Sequence, residues 1–340
     1  MTEAQLLQEL KNNPFLLAPM AGITDRVFRW LMRLQGCGIV TSELVSANGL
    51  FYNSDKTKNL MKFFEDERPV GIQIFGEEEQ ALVEAAQYVE QLGADFVDIN
   101  LGCPVKKVVK KGAGSAMMKE PDKLRRICRQ IKSKIQIPLT IKIRTGWDQH
   151  SRNALEIVQL AFDEGVTWVA IHGRTRAQAY NGEADWDYIA GVKANSPLPI
   201  IGNGDITSPE LAVGRLKESG CDGVMIGRGC LKNPWIFQQA FEQWSGTQKA
   251  PMTHQYLPLF EFIKEKGQNE FEERVIVVLL RKLAAWYSTG LPKSAEFRRS
   301  LYSARGLDTT FDAINNYYQT VDPHLLVDTS DQAFLKGGHG

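Results

Sequence analysis

An ionisable thiol followed at once by a run of lysines offers the clearest chemistry in the chain. In Asp95 to Gly114, DFVDINLGCPVKKVVKKGAG, an apolar run reaches Asn100, and Cys103 sits in a Gly-Cys-Pro turn. Lys106, Lys107, Lys110 and Lys111 follow. A thiol of ordinary pKa, ~8.5, is mostly protonated at neutral pH and can donate its proton. The lysines form a positive rim that suits a polyanion. Cys103 is therefore expected to be a proton donor at the mouth of a scaffold, with a nucleic acid drawn in by the rim. Cys128 falls in an apolar helical stripe and reads as a small buried hydrophobe, and Cys37, Cys221 and Cys230 read as structural.

A second group of residues points to a phosphorylated cofactor. IGNGDI (201–206) and IGRGCL (226–231) are glycine-rich turns after apolar runs. Glycine lets backbone N–H groups approach phosphate oxygens, and Arg228 adds charge. Lys142 alternates with Ile141 in LTIKIR (139–144), so one of the two faces an interior. An interior lysine is costly unless an anion pairs with it. A reduced flavin, anionic along its N1–C2=O edge, is one such partner. Gln73 could bond the ring's polar edge, and the backbone of Pro19, Met20 and Ala21 could bracket it. The histidines have no metal-ligand spacing, so no metal is expected.

These residues need a scaffold that gathers them. Short β-type runs occur at 15–20, 39–44, 70–75, 95–100, 139–144, 168–173, 199–204 and 223–228. Several are almost wholly apolar, as parallel strands covered on both faces should be. Amphipathic segments at Glu78–Leu92, Asp122–Ile135, Asn153–Glu164 and Pro209–Ser219 lie between them. Eight strands alternating with helices predict an α/β fold, a (β/α)8 TIM barrel, with its site at the C-terminal strand ends. Gln73, Asn100, Lys142, His172, Asn203, Gly204, Asp205, Gly227 and Arg228 all fall there. After a linker-like stretch from Trp244 to Met252, helical patterns recur at 253–267, 270–288, 293–305 and 308–320. The expected organisation is a barrel over 1–245, a helical domain over 253–325 and a tail over 326–340.

Composition bounds the partners. Forty basic and 40 acidic residues give a net charge of zero, which argues against indiscriminate polyanion binding. The charge is nonetheless segregated: residues 103–119 carry +5, residues 274–305 carry +6 and residues 306–331 carry −5. Separated basic patches suit a shaped anionic partner. No apolar run approaches the ~18 residues of a membrane span. Neither a secretory leader nor paired cysteine spacing is evident, so a reduced, cytoplasmic setting is expected.

Longer segments resemble the tRNA-dihydrouridine synthases, most closely their bacterial B-type branch. They are APMAGITDRVFR (18–29), GIQIFG (71–76), DINLGCPVKKVVKKGAGSAMM (98–118), TIKIRTGW (140–147), HGRTRAQAYNGEADW (172–186), IGNGDI (201–206) and GVMIGRG (223–229). The resemblance implies an FMN barrel that reduces the C5=C6 bond of particular uridines in tRNA, with NADPH as reductant. It implies FMN contacts from Pro19, Met20, Ala21, Gln73, Lys142, His172, Asn203, Gly204, Asp205, Gly227 and Arg228. It implies a proton from Cys103 and a uracil contact from Asn100. Lys106, Lys107, Arg174, Arg281, Lys282, Arg298 and Arg299 are the expected further tRNA contacts, in a monomeric enzyme. One departure is visible, since Leu283 stands where the family signature has histidine. Two other readings fit parts of the pattern: an FMN barrel acting on a free small molecule, like dihydroorotate dehydrogenase, and an RNA-binding barrel without catalysis. The lysine rim weighs against the first; intact Cys103, Lys142 and both glycine turns weigh against the second.

Overall fold

The computed structural model describes residues 1–52, 54–247, 255–322 and 325. Its strands are β1 (Phe15–Leu17), β2 (Val40–Thr41), β3 (Val45–Ser46), β4 (Val70–Phe75), β5 (Phe96–Leu101), β6 (Leu139–Arg144), β7 (Val169–His172), β8 (Ile200–Asn203) and β9 (Gly223–Ile226). They pair in parallel in the order β1-β9-β8-β7-β6-β5-β4-β2, with β3 also on β4. The ring joins between β1 and β2 through the Leu16–Ile39 bridge, where the Leu17 N–H donates to the Ile39 carbonyl at 3.0 Å. With a helix outside most strands, this is the expected (β/α)8 barrel.

The second barrel position differs from the continuous strand expected at 39–44. Val40 and Thr41 pair with Val70 and Gly71, and Val45 and Ser46 with Ile74 and Phe75. Residues 42–44 therefore oppose only 72–73, an extra residue that interrupts the ladder as a bulge. At the bulge Ser42 Oγ accepts the Gln73 N–H at 3.0 Å, so that donor stays satisfied where the ladder is interrupted. The bulge swings Glu43 and Leu44 toward the mouth, where the Glu43 carboxylate accepts the Gly22 N–H.

Along the barrel axis the interior changes character. Its lower part is apolar, with Leu16, Ala18, Ile39, Phe96, Trp168, Ala170, Ile201 and Met225 in one cluster. Phe96 and Trp168 meet edge to face at 5.4 Å. Gly71 must be glycine, because a Cβ there would lie 2.1 Å from the Phe96 ring. The outward faces, including Ile72, Ile99, Ile141 and Ile171, join the larger core under the helices. Lys142, not Ile141, thus faces inward. A helix unforeseen from the sequence, Glu3–Asn12, plugs the lower end: Thr2 and Gln5 form a capping box, and Leu6 and Leu10 are buried in the interior cluster.

The C-terminal region contains helices Tyr256–Glu270, Glu273–Tyr287, Ser294–Ser303 and Leu307–Tyr318. Phe260, Leu280, Leu283, Tyr287, Phe297 and Tyr318 are buried among them. At 1% exposure, Leu283 is a core residue of this region. The region rests on the barrel helix Arg26–Leu34, where Trp30 meets Phe262 at 4.7 Å and Arg26 lies over Phe271. Most of the expected linker and the tail over 326–340 lie outside the described residues. Among the described residues no helix is long and apolar enough to cross a membrane.

The lower plug should be a stability element. Leu6→Ala and Leu10→Ala should each cost about 2–5 kcal/mol, read as a lower urea midpoint at unchanged slope. An unchanged midpoint would mean that the helix does not seal the barrel.

Candidate active site

Successive side chains of a strand point to opposite faces, so the inward-facing residues near the C-terminal strand ends project into the barrel mouth. Gln73, Asn100, Lys142, His172 and Asn203 meet there, and with the loops above them they line a single cleft of about 1160 Å³, part of it open to solvent. Pro19, Met20, Ala21, Cys103, Arg174, Gly204, Asp205, Gly227 and Arg228 complete that wall. The residues expected to hold a cofactor are thus brought together. Lys106 and Lys107 are exposed on the short helix Lys106–Val109 that follows the cysteine turn, whereas Arg281, Lys282, Arg298 and Arg299 belong to the helical region.

A relay of side-chain amides fixes Cys103. The buried Asp98 carboxylate accepts from Gln73 Nε2 at 2.6 Å and from Thr140 Oγ1 at 2.6 Å. Gln73 Oε1 accepts from Asn100 Nδ2 at 2.8 Å. Asn100 Oδ1 then accepts the N–H groups of Gly102 and Cys103, at 3.2 and 2.9 Å. Because Asp98 can only accept when ionised, each amide's orientation follows from the one before. The loop beyond Cys103 is tied back by Ser115, whose N–H and Oγ both donate to the Cys103 carbonyl, at 3.2 and 2.9 Å. Gly114 makes that return possible: its φ is +60°, and a Cβ there would lie 2.9 Å from the same carbonyl.

Arg144 is the main site residue the sequence reading missed. It ends β6 two residues beyond Lys142, on the same face. Its Nε donates to the Gly102 carbonyl at 2.7 Å, and Nη1 donates to the carbonyls of Thr175 and Ala179 at 2.9 and 2.7 Å. It therefore clamps the cysteine turn to the loop after β7. Tyr180 on that loop has both the Arg144 and Arg228 guanidinium carbons 5.6 Å from its ring centre. Alternation in LTIKIR was the signal available for Arg144; nothing local marked Tyr180.

The cleft is electropositive and partly dry. Burial, with help from Arg144, lowers the Lys142 pKa to about 8, although Asp98 opposes the shift. The lysine's hydrogen bond goes to the neutral Asn203 Oδ1 at 2.9 Å. Burial also holds Arg144 down to about 10. His172 lies well below its ordinary value, first through burial and then through Arg144, Lys142, Arg174 and Arg228, so it is neutral at physiological pH. For Cys103 burial raises the pKa, only partly offset by the Val105 N–H and Arg144. The thiol therefore stays protonated.

Arg174 and Asp205, both on the cleft wall, pair with each other. Nη1 and Nη2 each donate to the carboxylate at 2.8 Å, and the Ala184 N–H adds a third bond at 2.7 Å. This pair braces the turn after β8, where Gly204 has φ +135° and a Cβ would lie 2.5 Å from that of Ala184. At Gly227 a Cβ would reach ordinary contact with Ala18 and Met20, on the cleft wall. A buried ammonium with a neutral partner, beside backbone-lined glycine turns, is a donor set suited to an anionic, phosphorylated ligand.

Comparison with known proteins is consistent along the chain. The dihydrouridine synthase (Dus) family model matches residues 16–321. The tRNA-dihydrouridine synthase B of Vibrio cholerae is 39% identical over 316 residues, spanning 92% of this chain and 98% of that protein. Its counterpart in Pseudomonas syringae is 40% identical over 290 residues, spanning 84% and 86%. A solved structure of histamine dehydrogenase from Rhizobium sp. 4-9 aligns with TM-score 0.51 at 15% identity, over 68% of this chain and 46% of that one. That last likeness concerns the fold alone.

The Lys142 ammonium should destabilise the ligand-free protein. Its folded pKa lies below the unfolded one, so the cost is complete below about 8 and disappears as pH rises toward the ordinary lysine value. Ligand-free Lys142→Met should gain on the order of 3 kcal/mol in unfolding free energy at pH 7 and lose that advantage by about pH 10.5. A variant less stable than wild type at pH 7 would contradict this placement.

Proposed function

The chain belongs to the dihydrouridine synthase family, and we propose that its cleft holds FMN while Cys103 protonates the substrate base. The protein reduces the C5=C6 bond of uridines in tRNA to give 5,6-dihydrouridine. The observation that best supports the mechanism is Cys103 itself: a protonated thiol in the cleft wall, locked from three sides by Asn100, Arg144 and Ser115.

When bound, FMN supplies hydride to uracil C6, and NADPH is the proposed reductant that restores it. The turns at Gly204 and Gly227, with Arg228, would hold the phosphate. Lys142 would answer the electron-rich edge of the ring, which supplies the anion its burial requires. Backbone groups of Pro19 to Ala21 close the opposite wall, and neutral His172 offers a hydrogen bond without adding charge. Gln73 and Asn100 each keep a second amide hydrogen, directed by the relay, for ring or base carbonyls.

An uncharged uracil resists reduction at C6 unless an acid delivers a proton to C5. Burial keeps Cys103 protonated, and the carbonyl clamps on Gly102 and Cys103 hold the Sγ in one place. The base must leave its stack to enter the cleft, which suits an unpaired nucleotide of a folded RNA. Lys106, Lys107, Lys110 and Lys111, exposed beside Cys103, would hold the neighbouring phosphates. In the helical region Arg299 is exposed and Arg298 half-buried, and both would contact RNA. Arg281 and Lys282 would act more by holding the region together, since they donate to the Ala304 and Gly22 carbonyls. In this reading residues 1–245 carry catalysis and 253–325 grip tRNA, in a monomeric cytoplasmic enzyme.

Cys103→Ala should keep bound flavin and its bleaching by NADPH, yet lose dihydrouridine formation on tRNA by about 10²-fold or more. Full turnover by that variant would remove the thiol from the mechanism. Because the acid must be protonated and its pKa is raised, wild-type single-turnover rates should stay level past the ordinary thiol range and fall only at higher pH. A decline centred below that range would assign the limiting ionisation elsewhere.

A further inference from the structure

Two aromatic rings stand exposed on the same rim as the lysines. From Leu44 in the cleft wall the chain passes through β3 into a short helix, Ala47–Phe51, and then Tyr52. Phe51 is 58% and Tyr52 80% exposed, and their rings meet edge to face at 5.4 Å. Among the described residues Tyr52 is the most exposed of the large apolar and aromatic side chains. Such exposure is unfavourable in water unless a partner covers it.

The tip is held in place. Ser46 Oγ accepts the Gly49 N–H, the Ser54 N–H returns to the Gly49 carbonyl at 3.0 Å, and Ala47 is fully buried. It is also joined to the lysine loop. Asn48 Nδ2 donates to Glu77 Oε1 at 3.0 Å, and the Glu77 Cβ lies 3.8 Å from the position a Gly112 side chain would take. Gly112 ends the lysine run. Aromatic tip and lysines are thus adjacent parts of one edge.

We propose that Phe51 and Tyr52 form a stacking platform for an unpaired nucleobase next to the uridine in the cleft. The inference rests on the tRNA reading given above. Exposed lysines beside exposed rings match the way single strands are held, with phosphates on the cations and bases on the aromatic faces. The same positive edge is unfavourable for a second copy of this chain, whose rim carries the same sign.

The test uses flavin-loaded enzyme, NADPH and transcribed tRNA. Phe51→Ala with Tyr52→Ala should raise KM for tRNA about tenfold, with kcat close to wild type. The ring-preserving exchange, Phe51→Tyr with Tyr52→Phe, should leave KM near wild type. Flavin content and melting temperature serve as folding controls for these exposed positions. If active wild-type enzyme and the double-alanine variant share one KM, the platform alone is overturned. It is also overturned if the variant loses a concentration-dependent dimer in sedimentation while KM stays unchanged, since the rings then serve a protein contact. A wild-type enzyme that forms no dihydrouridine on tRNA overturns the functional reading and the platform with it.

Discussion

The hydrogen-bond relay from Asp98 through Gln73 and Asn100 to the Cys103 N–H is the interaction on which the site depends. It starts inside the barrel, where β4, β5 and β6 fix its donors, and it ends in a loop. A loop alone would leave the thiol free to wander; a rigid ladder with one amide per strand does not. Every member is buried, so breaking any link strands a polar group away from water. Arg144 and Ser115 add independent anchors on either side of the same residue.

The cleft is a place where stability is lowered in favour of binding. The barrel floor is apolar and sealed by Leu6 and Leu10, which excludes water from below. Above it Lys142, Arg144, Arg174 and Arg228 line a cavity in which Asp205 already faces Arg174. In a partly dry space this excess of positive charge is costly without a ligand, and an anionic ligand would offset that cost. The same charges keep His172 neutral. One distribution therefore sets both ligand preference and protonation states.

The helical region reaches the mouth through contacts the barrel itself supplies. Lys282 donates to the Gly22 carbonyl at 2.8 Å, and the Gly22 N–H is held by Glu43 from the bulge after β2. Arg29 adds a buried bridge to Glu67 at 2.7 Å and donates to the Thr24 and Lys62 carbonyls. The first loop of the barrel is therefore held by Arg29 at Thr24 and by Glu43 and Lys282 at Gly22. The helical region is thereby registered against the cleft through that loop.

The sequence by itself determined the barrel and the residues that line its cleft, Cys103 among them. Short apolar runs with Gln73, Asn100, Lys142, His172 and Asn203 near their C-terminal ends are local pattern, enough to place these residues at one end of a parallel barrel. The segments around Cys103 and His172 also carried the family. Tertiary structure alone decided what depends on meeting across the chain. Alternation could not say whether Ile141 or Lys142 faced inward; the ring of neighbours did. The bulge at Ser42 required a partner strand to be seen, and the Glu3–Asn12 plug needed an open barrel end to fill. The pairing of Arg174 with Asp205 appeared only when the turns after β7 and β8 placed them 2.8 Å apart. Lys282, legible only as a basic residue on a helix, became a tether because Gly22, 260 positions earlier in the chain, lies beside it. Side-chain type and local periodicity are written in neighbouring residues, whereas pairing, burial and charge balance are properties of residues that only folding makes neighbours.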